Sequence, residues 1–223
     1  RITPGIDPHT FDEVSTGKVD SKFGSAIETG QAEEIVRLTL EEPHVELTGY
    51  HCHIGSQVLT EDVFERGAVV MLEYVADMKN KLGYMARELD LGGGYGVRYL
   101  DTDVQLDIDI KVSMVAEAAK RTAARLGISM PEIHMEPGRS IVADAGMTLY
   151  TVGTVKQIHG YKNYVSVDGS MTDNPRFALY GASYTCFIAN RMDEQNDFEA
   201  SLVGRCCESG DIIQENVMMP HTV

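Results

Sequence analysis

The sequence predicts an α/β chain: the later part of a (β/α)8 barrel over residues 1–145, followed by part of an antiparallel β domain over residues 146–223. Three observations carry this reading. Helix-period and strand-like stretches alternate through the first two-thirds of the chain, the rhythm of a parallel sheet with crossover helices. Three strands run straight into polar or glycine-rich clusters, at Ser56, at Gly92-Gly93-Gly94 and at Gly138-Arg139, as expected where a barrel gathers its chemistry at the carboxyl ends of its strands. After about Ala145 the texture changes to short β-branched runs punctuated by turn residues. An open, doubly wound sheet is the alternative architecture for the first part.

The elements follow in order. Ala26 to Glu41 places Ala26, Ala32, Ile35, Val36, Leu38 and Leu40 at roughly helical spacing. Val45 to Ile54 reads as a strand ending at Gly55-Ser56. Thr60 is set to cap the next helix, with Glu61 and Asp62 beside its positive end, and Gly83 stops it after Leu82. Glu88 to Leu91 is a short strand, Ile110 to Leu126 an amphipathic helix terminated by Gly127, and Glu132 to Met135 a strand ending in Glu136-Pro137-Gly138-Arg139. Thr148 to Ile158, Tyr164 to Asp168, Ala200 to Arg205 and Asp211 to Gln214 supply the strands of the β domain.

Composition narrows the function classes. With 43% hydrophobic residues in 223, the chain can bury a substantial core. A formal charge of −15, with no offsetting Lys/Arg cluster, repels phosphate backbones and argues against a nucleic-acid partner. No apolar run approaches the ~18 residues of a membrane span; the longest, Gly67 to Val75, is cut by Glu73. Cys52, Cys186, Cys206 and Cys207 form no CxxC pair and read as free thiols in a reducing, cytoplasmic setting. The chain opens at Arg1 on what reads as a strand end and closes at Val223 just after a strand, so we expect a fragment lacking pieces at both termini.

Several groups can carry chemistry. A glycine run at a strand end exposes backbone N–H groups, which suits a phosphate, with Ser56, Gly138 and Arg139 able to contribute; a tight turn is the plainer reading of the glycines alone. His51 and His53 share one face of a strand with Cys52 on the other. They lack a further ligand at metal-site spacing, so no metal is expected. Glu136 is either an ion-pair partner of Arg139 or a nearby lysine, or a carboxylate facing a cationic ring nitrogen. In Cys206-Cys207-Glu208-Ser209-Gly210-Asp211, a loop lets Cys207 and Glu208 reach one site, whereas a strand points them apart; the acidic neighbours suit a thiol that donates a proton.

Five ordered motifs then carry a resemblance over nearly the whole chain: His51-Cys52-His53-Ile54-Gly55-Ser56-Gln57, Leu91-Gly92-Gly93-Gly94, Glu136-Pro137-Gly138-Arg139, Asp173-Asn174-Pro175-Arg176-Phe177-Ala178-Leu179-Tyr180 and Cys207-Glu208-Ser209-Gly210-Asp211. The stretch from Thr16 to Gly24 adds to it. The set resembles the fold-type III pyridoxal-phosphate-dependent decarboxylases, most closely the branch acting on meso-diaminopimelate. The resemblance implies an alanine-racemase-like TIM barrel with a β domain, and pyridoxal 5′-phosphate as cofactor. It implies that His53 stacks on the cofactor ring, that Ser56, Gly94, Gly138 and Arg139 hold its phosphate with Gly92 and Gly93 also among the cofactor-binding residues, and that Glu136 pairs with its pyridine nitrogen. Arg139, Arg176 and Tyr180 would contact the amino-acid substrate, Cys207 would donate a proton, and Glu208 would meet the distal ammonium group. Cys207 and Glu208 would act across a homodimer interface, in the partner's site.

A carboxylate at Glu136 keeps the ring nitrogen protonated and favours loss of CO2, where related racemases carry an arginine. The family's Schiff-base lysine and a late tyrosine lie outside this chain, so the piece alone is expected to be inert. The alternatives are relatives acting on carboxynorspermidine, arginine or ornithine, a non-catalytic binding module of the same fold, and a barrel enzyme for another phosphorylated ligand. Glu208 favours diaminopimelate, because ornithine-type members carry aspartate after the cysteine.

Overall fold

A computed structural model describes residues 1–7, 16–59 and 62–223. The chain divides into two compact units, residues 1–98 with 104–143, and residues 99–103 with 144–223.

The first unit is part of a (β/α)8 barrel. Its opening strands, β1 (Ile2–Thr3) and β2 (Ser25–Ala26), pair in parallel. Helix α1 (Gln31–Glu41) begins later than the spacing from Ala26 predicts. Ser25 and Ala26 are drawn into pairing with Ile2 and Thr3, and Gly30 takes a left-handed backbone (φ 78) that helix cannot continue through. Three further strands, β3 (Gly49–His51), β4 (Glu88–Asp90) and β5 (Glu132–His134), form a parallel sheet in that order. Tyr50, Leu89 and Ile133 stand in one row of the register and His51, Asp90 and His134 in the next.

Parallel neighbours need crossovers, and two long helices supply them. Helix α2 (Val63–Leu82) links β3 to β4, with Met71, Leu72, Val75 and Met78 fully buried along one stripe. Gly83 ends it in the left-handed conformation, donating its N–H to the Lys79 carbonyl. The expected cap at Thr60 and the neighbouring Glu61 lie outside the described residues. Helix α3 (Ile108–Leu126) links β4 to β5 and packs beside α2. The Asp107 side chain caps it by accepting from the Ile110 N–H at 3.0 Å, and Gly127 closes it with φ 64. Residues 138–142 make one further short helix, α4 (Gly138–Val142).

The second unit is a four-stranded sheet in the order β6 (Val152–Ile158), β7 (Lys162–Val167), β8 (Phe198–Val203), β9 (Ile212–Met219). The outer pairings, β6 with β7 and β8 with β9, are antiparallel as expected, but β7 and β8 run parallel. The reason is the long connection between them. It carries helix α5 (Arg176–Tyr180) and brings the chain back to the end of the sheet where β7 began, which no hairpin does. Val165, Ala200, Val217 and Met219 form this unit's own small core.

Candidate active site

The three parallel strands stay hydrogen-bonded past their formal ends, and this continuation builds the site. Cys52 N–H donates to the Asp90 carbonyl, Leu91 N–H to the His134 carbonyl and Glu136 N–H to the Gly92 carbonyl, at 2.9, 3.0 and 2.9 Å. Residues 52–56, 91–96 and 136–139 therefore lie side by side. A Cβ on Gly92 would overlap the Cys52 carbonyl oxygen, one on Gly93 the Glu136 carbonyl oxygen, and one on Gly94 the Gly55 carbonyl oxygen. Close backbone approach on both sides explains why three glycines stand in a row, and Gly92 and Gly94 also adopt positive φ.

The same loop answers part of the phosphate question. The Gly92 amide donates to Asp90 Oδ1 at 2.8 Å and the Gly93 amide to His53 Nδ1 at 3.3 Å. The Gly138 amide donates to the Glu136 carbonyl at 2.8 Å. These three N–H groups are thus spent inside the protein, and a cradle of bare glycine amides is not what the sequence builds here. What it does build is a side-chain pair: Arg139 Nη2 donates to Ser56 Oγ at 3.0 Å, joining two strand ends that are 83 residues apart in sequence.

His53 is half-buried. By accepting from Gly93, its Nδ1 leaves the ring proton on Nε2. Burial pushes its pKa down, and the nearby Arg1 charge adds to this, while Glu136 pulls the other way. The ring is accordingly neutral at pH 7. Its main chain is fixed from behind: Thr16 Oγ1 donates to the His53 carbonyl at 2.7 Å, and Thr16 N–H to the Ile54 carbonyl at 2.9 Å. Cys52 points the opposite way, fully buried, and burial raises its thiol to about 12, so it is an inert core group.

Glu136 does not pair with Arg139. Its Oε2 lies 3.3 Å from His51 Nε2, beside the glycine loop. Asp90 completes a group of three in which His51, Asp90 and Glu136 present ligand atoms within 4.8 Å of one another, so the extra donors that sequence spacing hides come from neighbouring strands, and to His51. In this structure the groups satisfy protein partners instead, Asp90 the Gly92 amide and Glu136 the His51 ring. The sequence motifs assigned no role in the site to Asp90, Thr16 or Arg1, although Thr16 opens a stretch that carries the resemblance. Only Asp90, one residue removed from the glycine run, left a local signal.

The second unit holds the remaining candidates. The Arg176 guanidinium lies over the Tyr99 ring at 4.5 Å and the Tyr184 ring at 5.5 Å, at the head of α5, with Tyr180 at its end. Cys207 and Glu208 are exposed on the turn between β8 and β9, so the loop alternative holds. That turn is tied down by buried Asp211, whose carboxylate accepts from Met171 N–H at 2.6 Å and from Cys206 N–H at 2.7 Å. Glu208 Oε1 accepts from the Gly210 amide at 2.9 Å.

The family model described as "Pyridoxal-dependent decarboxylase, pyridoxal binding domain" matches residues 1–143. The chain belongs to the pyridoxal-dependent decarboxylases. Among curated members of this decarboxylase family, it is 44% identical over 220 residues to diaminopimelate decarboxylase of Bacillus subtilis (strain 168), covering 99% of this chain and 50% of that protein. It is 40% identical over 223 residues to diaminopimelate decarboxylase of Staphylococcus aureus (strain COL), covering 100% and 52%. The crystal structure of diaminopimelate decarboxylase from Helicobacter pylori complexed with L-lysine superposes with a TM-score of 0.82 at 28% identity, over 99% of this chain and 52% of that one. The chain thus spans about half the length of the curated relatives it matches.

Pyridoxal phosphate is the cofactor of such a domain, and the residues present fit it. Ser56 with Arg139 offers a hydroxyl and a guanidinium for a phosphate, His53 a neutral aromatic face, and Glu136 an exposed carboxylate held by His51.

Proposed function

We propose that the protein carrying this chain decarboxylates meso-2,6-diaminopimelate to L-lysine and CO2. The observation that carries the reading is the placement of Glu136, whose side chain stands at the glycine cluster and is not neutralised by Arg139. The identity to diaminopimelate decarboxylases over the full chain supports it.

Each residue then has a task that its surroundings suit. Ser56, Gly94 and Arg139 hold the phosphate, Arg139 by charge-assisted hydrogen bonds. His53 lies against the ring as a neutral imidazole, with Gly92 and Gly93 letting the neighbouring strand ends, Cys52-His53 and Glu136, pack closely beside it. Bound pyridoxal phosphate supplies the sink for the electron pair that departing CO2 leaves on the α-carbon. Glu136 favours a proton on the ring nitrogen by placing a negative charge beside it. Arg139, Arg176 and Tyr180 orient the substrate, the arginines through its carboxylate. The Cys207 thiol donates its proton to the α-carbon, and Glu208 receives the distal ammonium group. In this reading residues 1–145 form the cofactor domain and 146–223 belong to the β domain. The enzyme is a cytoplasmic homodimer in which Cys207 and Glu208 serve the partner's site.

The test uses the full-length protein with pyridoxal phosphate, offered meso-diaminopimelate, ornithine, arginine and carboxynorspermidine in parallel. Lysine and CO2 from the first, with turnover of the others lower by about a hundredfold or more, is the expected result. CO2 from ornithine or arginine in preference sinks the substrate assignment, and no CO2 from any of the four sinks the enzyme.

A further inference from the structure

We infer that His51 is a positioning residue for Glu136: its ring nitrogen fixes one carboxylate oxygen and leaves the other to meet the cofactor's ring nitrogen. The inference rests on the cofactor reading given above and deepens it. The main chain at Glu136 is already held, its N–H on the Gly92 carbonyl at 2.9 Å and its carbonyl accepting from Gly138 at 2.8 Å. Gly93 lies directly against that carbonyl. The side chain beyond is another matter, because it is 56% exposed and a glutamate in water samples many rotamers. The described contact that selects among them is His51 Nε2 on Oε2 at 3.3 Å.

His51 is suited to this by its place on β3. It is more enclosed than its partner, at 29% side-chain exposure, and stands in register with Asp90 on β4. Asp90 spends Oδ1 on the Gly92 amide, so the imidazole turns to the glutamate. The two histidines of the motif then divide the labour. His53 takes its hydrogen bond from Gly93, and His51 takes the carboxylate. A carboxylate with one oxygen fixed presents the other in one direction, which a partner of fixed geometry such as a ring N–H rewards.

The test is equilibrium binding of two probes to the full-length apoprotein, without substrate: pyridoxal phosphate, and its 1-deaza analogue in which the ring nitrogen is replaced by CH. His51→Ala should weaken pyridoxal phosphate about tenfold, the scale of a lost charge-assisted hydrogen bond, and leave the analogue unchanged. His51→Gln, whose amide nitrogen reaches as far as Nε2, should recover most of that loss. Glu136→Ala is the control and should abolish the preference for pyridoxal phosphate over the analogue. If His51→Ala weakens both probes equally, or neither, or if Gln does no better than Ala, His51 does not act through Glu136 and the inference falls alone. If Glu136→Ala keeps the preference, the assignment of Glu136 falls and takes this inference with it.

Discussion

Glu136 lies close enough to His53 to act on the charge of its ring. Burial and the Arg1 charge hold the His53 pKa below its ordinary value, and Glu136 opposes them. The sign follows. Below about pH 6.5 an unfolded chain binds a proton that this folded site refuses, so stability drawn from the neutral ring is present above that pH and is lost as pH falls. Glu136→Gln removes the stronger of the two nearby carboxylates, Glu136 and Asp90, that favour the imidazolium, so an NMR titration of the ring should show the midpoint moving further down. A midpoint that rises or stays put contradicts the geometry. The glycines make a second residue-level case. Gly94→Ala puts a Cβ into the Gly55 carbonyl at φ 102 and should cost about 2 kcal/mol or more by urea denaturation. Gly138→Ala meets nothing within 4 Å and keeps an ordinary φ, so it should stay within about 0.5 kcal/mol.

The elements that carry these residues are held by a few identifiable contacts. Helix α3 owes its first turn to Asp107, and Asp107→Ala should cost about 1 kcal/mol, with Asp107→Ser or Asn retaining most of it. The β8–β9 turn depends on Asp211 in a comparable way. Asp211 is 3% exposed and its carboxylate serves two backbone N–H groups, Cys206 within the turn and Met171 in the connection that follows β7. Asp211→Asn turns one acceptor into a donor facing an N–H, and thermal or chemical unfolding should register a loss of roughly 2 kcal/mol. Faster modification of Cys207 by a thiol reagent should accompany it, because the turn presenting Cys207 and Glu208 would be loosened. An Asp211→Asn protein as stable as the parent would remove this account of how the turn is held.

For the molecule as a whole, the sequence was most legible where structure is local. Gly83 and Gly127 end their helices because a left-handed residue does so regardless of surroundings, and the strand-end clusters at Ser56, Gly92 and Gly138-Arg139 are adjacent in space because parallel strands bring like ends together. Long-range choices left less trace. The start of α1 shifted because Ser25 and Ala26 found a partner in β1, and the parallel pairing of β7 with β8 depends on the path of a long connection, which periodicity cannot record. In the site, the five motifs named the groups, but not that the glycine amides would be consumed by Asp90 and His53, nor that Thr16 would hold the His53 backbone. These are pairings across 37 to 40 residues, or a side chain turning on its own loop, and a linear pattern has no means of stating them.

In the proposed function Glu136 is the group on which the chemistry turns, and the decisive measurement is the rate of lysine formation from meso-diaminopimelate by full-length Glu136→Ala protein saturated with pyridoxal phosphate. The account predicts a fall in kcat of about a hundredfold or more, with the far-UV circular dichroism and the unfolding midpoint of the parent retained. A folded, cofactor-loaded variant turning over at the parent rate would contradict it.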